Sequence, residues 1–374
     1  MDYKILTISW DPTLAMDNPK FGDVQARNIE YGKKVVAIHS ITYSKKKLKL
    51  KNKQLSKNVF VYPTNSMRPI TFLFGAWKLA KEICKNNEID LVLTQDPFLT
   101  GLVGTWVKKK FGCKLLVHYH GDFWHNKNWV KEAWYNRFLN ISQSMVLKRT
   151  DAIRVMSEGQ QEKFIKTGWA KNRVRVISTP VDLKKYQRRS DTNNQMSNTV
   201  LHVGRDDEVK DYDTLVKAFK LVKEKVSEVK FLQAGAGEKL KKAMKENNFF
   251  DVDVKGTVKH SSLIDLYHQS SLFVLSSTSE SFGKVLVEAN ACARPVVSTI
   301  TTGAKEIVKD GTNGYLVPIG DSESLANRII ELLNNPQKAK EMGDNGKKMM
   351  QEQYGDNTEK IVQFWRDIIN NKLK

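Results

Sequence analysis

The run Leu272-Phe273-Val274-Leu275-Ser276-Ser277-Thr278-Ser279-Glu280-Ser281-Phe282-Gly283-Lys284-Val285-Leu286-Val287-Glu288-Ala289 decides the fold. Four consecutive apolar residues make a strand buried on both faces, and such strands belong to parallel sheets covered by helices. A loop of small polar residues follows, and a helical pattern opens near Gly283. The start of that helix offers backbone N–H groups and the positive end of the helix dipole, which together suit an anion. Gly283 lets a phosphate approach the backbone closely. Glu280 lies before the helix and Glu288 one to two turns inside it, so the two carboxylates would flank a diphosphate. Each could then accept hydrogen bonds from sugar hydroxyls on its own side. Surface salt bridges are the alternative reading of both glutamates.

The same strand-to-helix rhythm runs outward in both directions. Before it, strands are predicted at Thr199–Val203, Val229–Gln233 and Val252–Lys255; after it, at Val296–Ser298 and Tyr315–Val317. The last ~50 residues carry only helical patterns. The first half repeats the rhythm, with strands at Ile5–Ser9, Val35–His39, Val59–Tyr62, Leu91–Thr94, Lys114–His118, Ala152–Met156 and Val174–Ile177. Helices are predicted near 23–33, 70–86, 98–110, 128–149 and 157–167. Lys45–Lys57 carries seven lysines and reads as a solvated loop or an exposed strand pair. Leu183–Asn198 is polar and reads as a linker. The fold class expected is α/β: two tandem Rossmann-like doubly wound domains facing a cleft. Their spans are 1–185 and 186–355, with 356–374 as a final helix.

A length of 374 residues suits two domains, and 40% hydrophobic with 27% charged residues is a globular composition. No run of ~18 apolar residues occurs to cross a bilayer, and the N-terminus lacks signal-peptide character, so a cytoplasmic protein is expected. Cys84, Cys113 and Cys292 have neither metal-ligand spacing nor the pattern of a disulfide framework. The net charge of +20 is one-sided. Residues 1–190 hold 35 Lys and Arg against 15 Asp and Glu, whereas residues 191–374 hold 26 of each. A coding bias towards Lys would not spare one half of the chain. A basic face for nucleic acid, anionic lipid or an acidic substrate fits better.

Three further stretches carry candidate chemistry. Val203-Gly204-Arg205-Asp206-Asp207-Glu208-Val209-Lys210 follows the first strand of the second domain, where Arg205 and Lys210 would offer two cations to the same pyrophosphate. A solvated acidic turn is the other reading. His118-Tyr119-His120-Gly121-Asp122-Phe123-Trp124-His125 clusters imidazoles and aromatics at a strand end. His118 and His120 share a face, but no third metal ligand is evident, and a polar aromatic lip for a sugar suits the stretch better. The turn from Ser9 to Val24, with Gly22 and Asp23, opens a helix without a G-x-G-x-x-G fingerprint. Walker A, G-x-S-x-G and H-E-x-x-H patterns are lacking, as are the signatures of common nucleic-acid modules.

Together these residues resemble the retaining GT-B glycosyltransferases of family 4, over nearly the whole chain. Glu280-Ser281-Phe282-Gly283 to Glu288 is similar to that family's E-x7-E motif. The likeness continues through Ala293–Val297, Gly303–Val308 and Gly311–Val317. Arg205 and Lys210 match its phosphate cations, and His120-Gly121 its first-domain histidine. Ser157 and Pro180-Val181-Asp182 match the crossover region.

The resemblance implies that Glu288 binds ribose hydroxyls and Glu280 those of the transferred sugar. Arg205, Lys210 and the backbone around Ser281, Phe282, Gly283 and Lys284 would hold the diphosphate, and Val258 would touch the base. His120 would sit beside the sugar, with Gly22, Asp23 and Asp122 towards the acceptor, and the last helix would return to the first domain. Three departures stand out: Gly22-Asp23 where a double glycine is common, Asp211 after Lys210 in place of Gly, and Thr179-Pro180-Val181-Asp182 in place of an Asn-led motif.

The activity implied is transfer of a hexose from a UDP- or GDP-sugar to a saccharide or lipid-linked acceptor, with no metal or other cofactor. An anionic membrane surface would meet the basic first domain at the inner face of the membrane, and no nucleic-acid partner is expected. A nucleotide-sugar epimerase or sugar-phosphate synthase on the same fold is the alternative enzyme. A basic nucleic-acid-binding protein is the alternative of another class.

Overall fold

The computed structural model describes residues 3–17, 24–186, 198–235, 237–355 and 357–373, and their side chains except those of 127, 128, 132 and 260. The chain separates into two units, Met1–Ile177 with Thr358–Lys374, and Ser178–Asn357.

Unit 1 begins with β1 (Lys4–Ser9), α1 (Val24–Gly32), β2 (Ala37–Thr42), β3 (Lys53–Ser56) and β4 (Val59–Pro63). It continues through α2 (Pro69–Asn86), β5 (Leu91–Thr94), α3 (Leu99–Phe111), β6 (Lys114–Tyr119), α4 (Lys127–Glu132) and α5 (Asn136–Leu147). β7 (Ala152–Val155), α6 (Glu158–Lys166) and β8 (Val174–Val176) complete its sheet, in the order β3-β4-β2-β1-β5-β6-β7-β8. All neighbours pair in parallel except β3, which runs antiparallel to β4. Strands such as β1 and β5 are apolar on both faces because helices cover both. Phe72, Ala76 and Ala80 of α2, Val103 and Val107 of α3, Val146 of α5 and Phe164 of α6 fill one core. Tyr31 of α1 packs into another, against the last helix.

Unit 2 contains β9 (Thr199–Val203), α7 (Tyr212–Lys225), β10 (Lys230–Ala234), α8 (Glu238–Glu246), β11 (Asp253–Gly256), α9 (His260–Gln269) and β12 (Leu272–Leu275). After these come α10 (Lys284–Ala291), β13 (Val296–Thr299), α11 (Thr302–Ile307), β14 (Gly314–Val317), α12 (Ser322–Asn334) and α13 (Pro336–Gln353). The sheet order is β11-β10-β9-β12-β13-β14, all parallel. The chain winds outward from β9 to β11, returns, and winds the other way from β12. Its topological switch point therefore lies between β9 and β12, and doubly wound sheets bind ligands beyond the strand ends at such a point.

α14 (Thr358–Ile369) belongs to unit 1. Its apolar stripe, Ile361, Val362, Trp365 and Ile368, is buried there, and Trp365 meets Tyr31 edge-on at 5.4 Å.

The observed boundaries differ from the sequence reading in places with local causes. The first boundary falls after Ile177 rather than after residue 185, because the buried Tyr186 joins unit 2, where its carbonyl receives the Cys292 thiol. The second falls after Asn357, whose side chain donates to Ser178 Oγ at 2.8 Å, rather than after residue 355. β2 runs past His39 to Thr42 because its polar residues find partners: Thr7 donates to Ser40, and Thr42 to the Asp11 carbonyl. The helix expected over 128–149 breaks into α4 and α5, where the buried Asn136 amide donates to the Trp129 carbonyl. The lysine-rich Lys45–Lys57 holds a short 3-10 turn and edge strand β3.

Candidate active site

Two of the sequence motifs meet at the β9/β12 switch point. The loop after β9 delivers Lys210, and the loop after β12 delivers Ser277 and Glu280. Lys210 Nζ forms an ion pair with Glu280 Oε1 and lies 3.5 Å from Ser277 Oγ, while Ser277 donates to Glu280 at 3.0 Å. The two loops are also joined through backbone atoms. Ser276 Oγ donates to the Lys210 carbonyl at 2.7 Å, and the Thr278 amide to the Val209 carbonyl at 2.8 Å. Lys210 and Glu280 are largely shielded from solvent, whereas Arg205 is exposed at the head of its loop.

The helix that starts beside them is set by two glycines. Gly283 is the N-cap of α10 with φ +74°, a conformation that costs a residue with a Cβ. It provides no side chain to cap the first turn, and a helix N-terminus of this kind suits an anionic acceptor of hydrogen bonds. Gly303 holds the loop from behind: its amide donates to the Glu280 carbonyl at 2.7 Å, and a Cβ there would come within 2.6 Å of the Phe282 nitrogen. Phe282 is itself buried, next to Tyr354. The backbone from Glu280 to Gly283 is thus fixed by packing on both sides.

Glu288 lies inside α10 and is only 4% exposed. Its Oε2 accepts from the Tyr267 hydroxyl of α9 at 3.0 Å, and Lys284 Nζ stands 3.7 Å from its Oε1. Burial, and next the Glu288 charge, raise the Tyr267 phenol well above its ordinary range, so it remains a donor. A buried carboxylate needs such partners. Val258 follows β11 at the sheet edge, partly exposed.

The histidine stretch of unit 1 resolves differently. His120, just past β6, places Nε2 2.7 Å from Gln95 Oε1, a contact that an Nε2–H tautomer satisfies by donating. Burial first, then Arg154 and Arg27, lower its pKa to about 3, so it is a neutral imidazole at pH 7. His118 is buried with neither ring nitrogen hydrogen-bonded. Both Asp122 oxygens accept from Lys163, at 2.7 and 2.6 Å. Trp124 stacks on Phe164 and Trp129 on Phe98, so both rings pack within unit 1. Gly22 and Asp23 lie outside the described residues. Among the described residues, no group of three or more His, Cys, Asp or Glu is placed to hold a metal ion, and no helix is long and apolar enough to cross a membrane.

Tyr267, Ser277 and Gly303 are the parts that sequence reading missed as site elements. Ser277 sits in plain view in the motif, three residues before Glu280. Tyr267 is separated from Glu288 by a strand and a loop, and no spacing rule links them.

Two doubly wound units, with Lys210 and Glu280 joined at the switch point of the second, have the architecture of a GT-B glycosyltransferase. Residues 34–185 match glycosyltransferase family 4 and residues 184–349 match the glycosyl transferases group 1. The chain belongs to this family of glycosyltransferases. It is 29% identical over 298 residues to an uncharacterised glycosyltransferase of Methanocaldococcus jannaschii, covering 78% of this chain and 80% of that one. It is 29% identical over 221 residues to the capsular polysaccharide biosynthesis glycosyltransferase CapM of Staphylococcus aureus, covering 55% and 58%. Among solved structures, it resembles sucrose-phosphate synthase from Thermosynechococcus elongatus with a TM-score of 0.84 at 21% identity, over 99% and 100% of the two chains. Anabaena HepE in complex with UDP and glucose gives 0.74 at 19%, over 99% of each. At these identities the structural likeness is one of fold.

Proposed function

We propose that this enzyme moves a hexose from a UDP- or GDP-linked donor to a hydroxyl of a saccharide acceptor, with retention of anomeric configuration and without a metal ion. The observation that carries the reading is the meeting of Lys210, Ser277 and Glu280 at the switch point, beside the N-terminus of the helix that carries Glu288. As the bond from C1 of the sugar to the diphosphate breaks, negative charge grows on the leaving phosphate and positive character on the sugar. Lys210, the α10 amides and Arg205 answer the first; such preorganised groups are worth about 3–4 kcal/mol apiece when removed singly. In the described structure Lys210 is held by Glu280. A donor diphosphate would draw Lys210 to itself and free Glu280 to accept hydroxyls of the transferred sugar. Glu288, held by Tyr267, takes the ribose hydroxyls, and Val258 flanks the base. The acceptor hydroxyl attacks C1 from the face that the diphosphate leaves, and its proton passes to the departing phosphate oxygen. His120 takes part as a neutral hydrogen-bonding group, not as a cation.

UDP is favoured over GDP because HepE is described with UDP and glucose. A place in cell-surface glycan assembly is supported by the capsular role in CapM's name and by a poly(ribitol-phosphate) alpha-N-acetylglucosaminyltransferase of Staphylococcus aureus, 31% identical over 184 residues. The basic first half supports an acceptor that is lipid-linked and an enzyme stationed at the cytoplasmic face of a membrane. The test is proton NMR of the product formed from a UDP-α-hexose and a hydroxyl acceptor, with EDTA present. An α-linked product supports the reading; a β-linked product, or none until a divalent metal is added, overturns it.

A further inference from the structure

We propose that unit 1 docks onto an anionic lipid bilayer through the outward face of the α2–α3–α5 helical layer. This deepens the membrane part of the function above and rests on it, but does not depend on the donor site. Along α5 and the turn before it, Trp134, Phe138, Ile141 and Met145 recur at the spacing of one helix face, and each is half or more exposed, Trp134 reaching 77%. The opposite side of α5 supplies the buried Gln143, Val146 and Leu147. The start of α2 repeats the pattern: Met67, Ile70 and Phe74 are exposed, Phe74 at 70%, while the adjacent Phe72 and Leu73 are buried. α3 packs against both helices, so the two stripes flank it within one layer. Between α2 and α3, Phe74, Trp77, Trp106, Lys109 and Lys110 line a groove of about 500 Å³, with the two indoles edge to face at 6.0 Å.

Soluble surfaces rarely leave this much apolar side chain uncovered without a partner. The charge around it selects the partner. Residues 66–81 contain Arg68, Lys78 and Lys81 and no Asp or Glu; residues 133–150 contain Arg137, Lys148 and Arg149 and again no acid. A second copy seated on the same face would set these cations against themselves. An anionic bilayer satisfies both parts, with aromatic and aliphatic side chains in the interface and Lys and Arg among the head groups.

The experiment is flotation of the full chain with phosphatidylcholine vesicles, with and without phosphatidylglycerol. It compares wild type with Phe74→Ser and with Trp134→Ser/Phe138→Ser/Ile141→Ser. Wild type is expected to float with phosphatidylglycerol vesicles and to be released by salt. The triple variant is expected to partition about tenfold or more weakly, with its melting midpoint and its response to UDP unchanged. No flotation of wild type removes both the docking face and the membrane reading. Flotation that the variants do not weaken, or that ignores lipid charge, overturns this face and leaves the membrane reading standing. A wild-type dimer that the triple variant dissociates also overturns it.

Discussion

Glu288 of α10 accepts a hydrogen bond from a residue of another helix, Tyr267 of α9. Its place in α10 follows from counting helical turns after Gly283; its orientation depends on the Tyr267 hydroxyl, 3.0 Å away and brought there by the βα crossover between α9 and α10. Tyr267→Phe removes one hydrogen bond to a buried charge and leaves the ring in place. Hydrogen bonds to charged groups are worth about 1.5–3 kcal/mol. Donor-nucleotide affinity should fall about tenfold or more, while kcat at saturating donor stays within about threefold. Titration calorimetry with UDP beside steady-state kinetics checks this. A fall in kcat with affinity unchanged would mean that Tyr267 does not act through Glu288. The pairing of Lys210 with Glu280 was half legible in the same way. Both residues stood out by type and position after a strand, but sequence reading set both against a ligand rather than against each other.

Strands were most legible where apolar residues dominate them. β5, β9 and β12 match the sequence reading residue for residue: β12 is apolar throughout, and β5 and β9 are apolar save for Thr94, Thr199 and His202. Elements were misjudged where tertiary partners satisfy polar atoms, as in the extension of β2 and the break between α4 and α5. The same strands hide a pH sensitivity. His118 on β6 and His202 on β9 are buried, and His120 beyond β6 is half-buried. Burial lowers all three from the ordinary 6.5, His120 and His202 to about 3. Below pH 6.5 the unfolded chain takes up protons that the folded chain refuses, so these histidines lose their stabilising contribution as pH falls from 6.5 towards 3. Burial raises Asp96 to about 6, which has the opposite sign: its folded form holds a proton between pH 3.8 and 6, so its contribution falls as pH rises through that interval. These histidines, joined by His39 of β2, which burial lowers in the same direction, outweigh the one carboxyl. The thermal midpoint should drop between pH 7 and pH 5, and a flat profile across that range would contradict the neutral buried histidines.

At the scale of the whole molecule, periodicity revealed two α/β units, but the small print of their division depended on contacts no pattern announces. Tyr186 and Asn357 join unit 2 through buried contacts such as the Cys292 thiol on the Tyr186 carbonyl and the Asn357 amide on Ser178. The amphipathic stripe of α14 predicts a buried helix and is silent on which unit receives it. The charge asymmetry was readable by counting alone, whereas the exposure of Phe74 and Trp134, beside buried neighbours of the same type, needed the fold. The donor site of unit 2 carries the proposed transfer activity. It is tested most directly by the thermal midpoint of wild type and Glu288→Ala with UDP, GDP, ADP and CMP, each with EDTA. At about 100 times Kd a bound nucleotide adds roughly 2.7 kcal/mol to the folded state. A clear rise with UDP or GDP is expected, surviving EDTA and lost in Glu288→Ala. No rise with any nucleotide, or a rise that Glu288→Ala leaves intact, would contradict it.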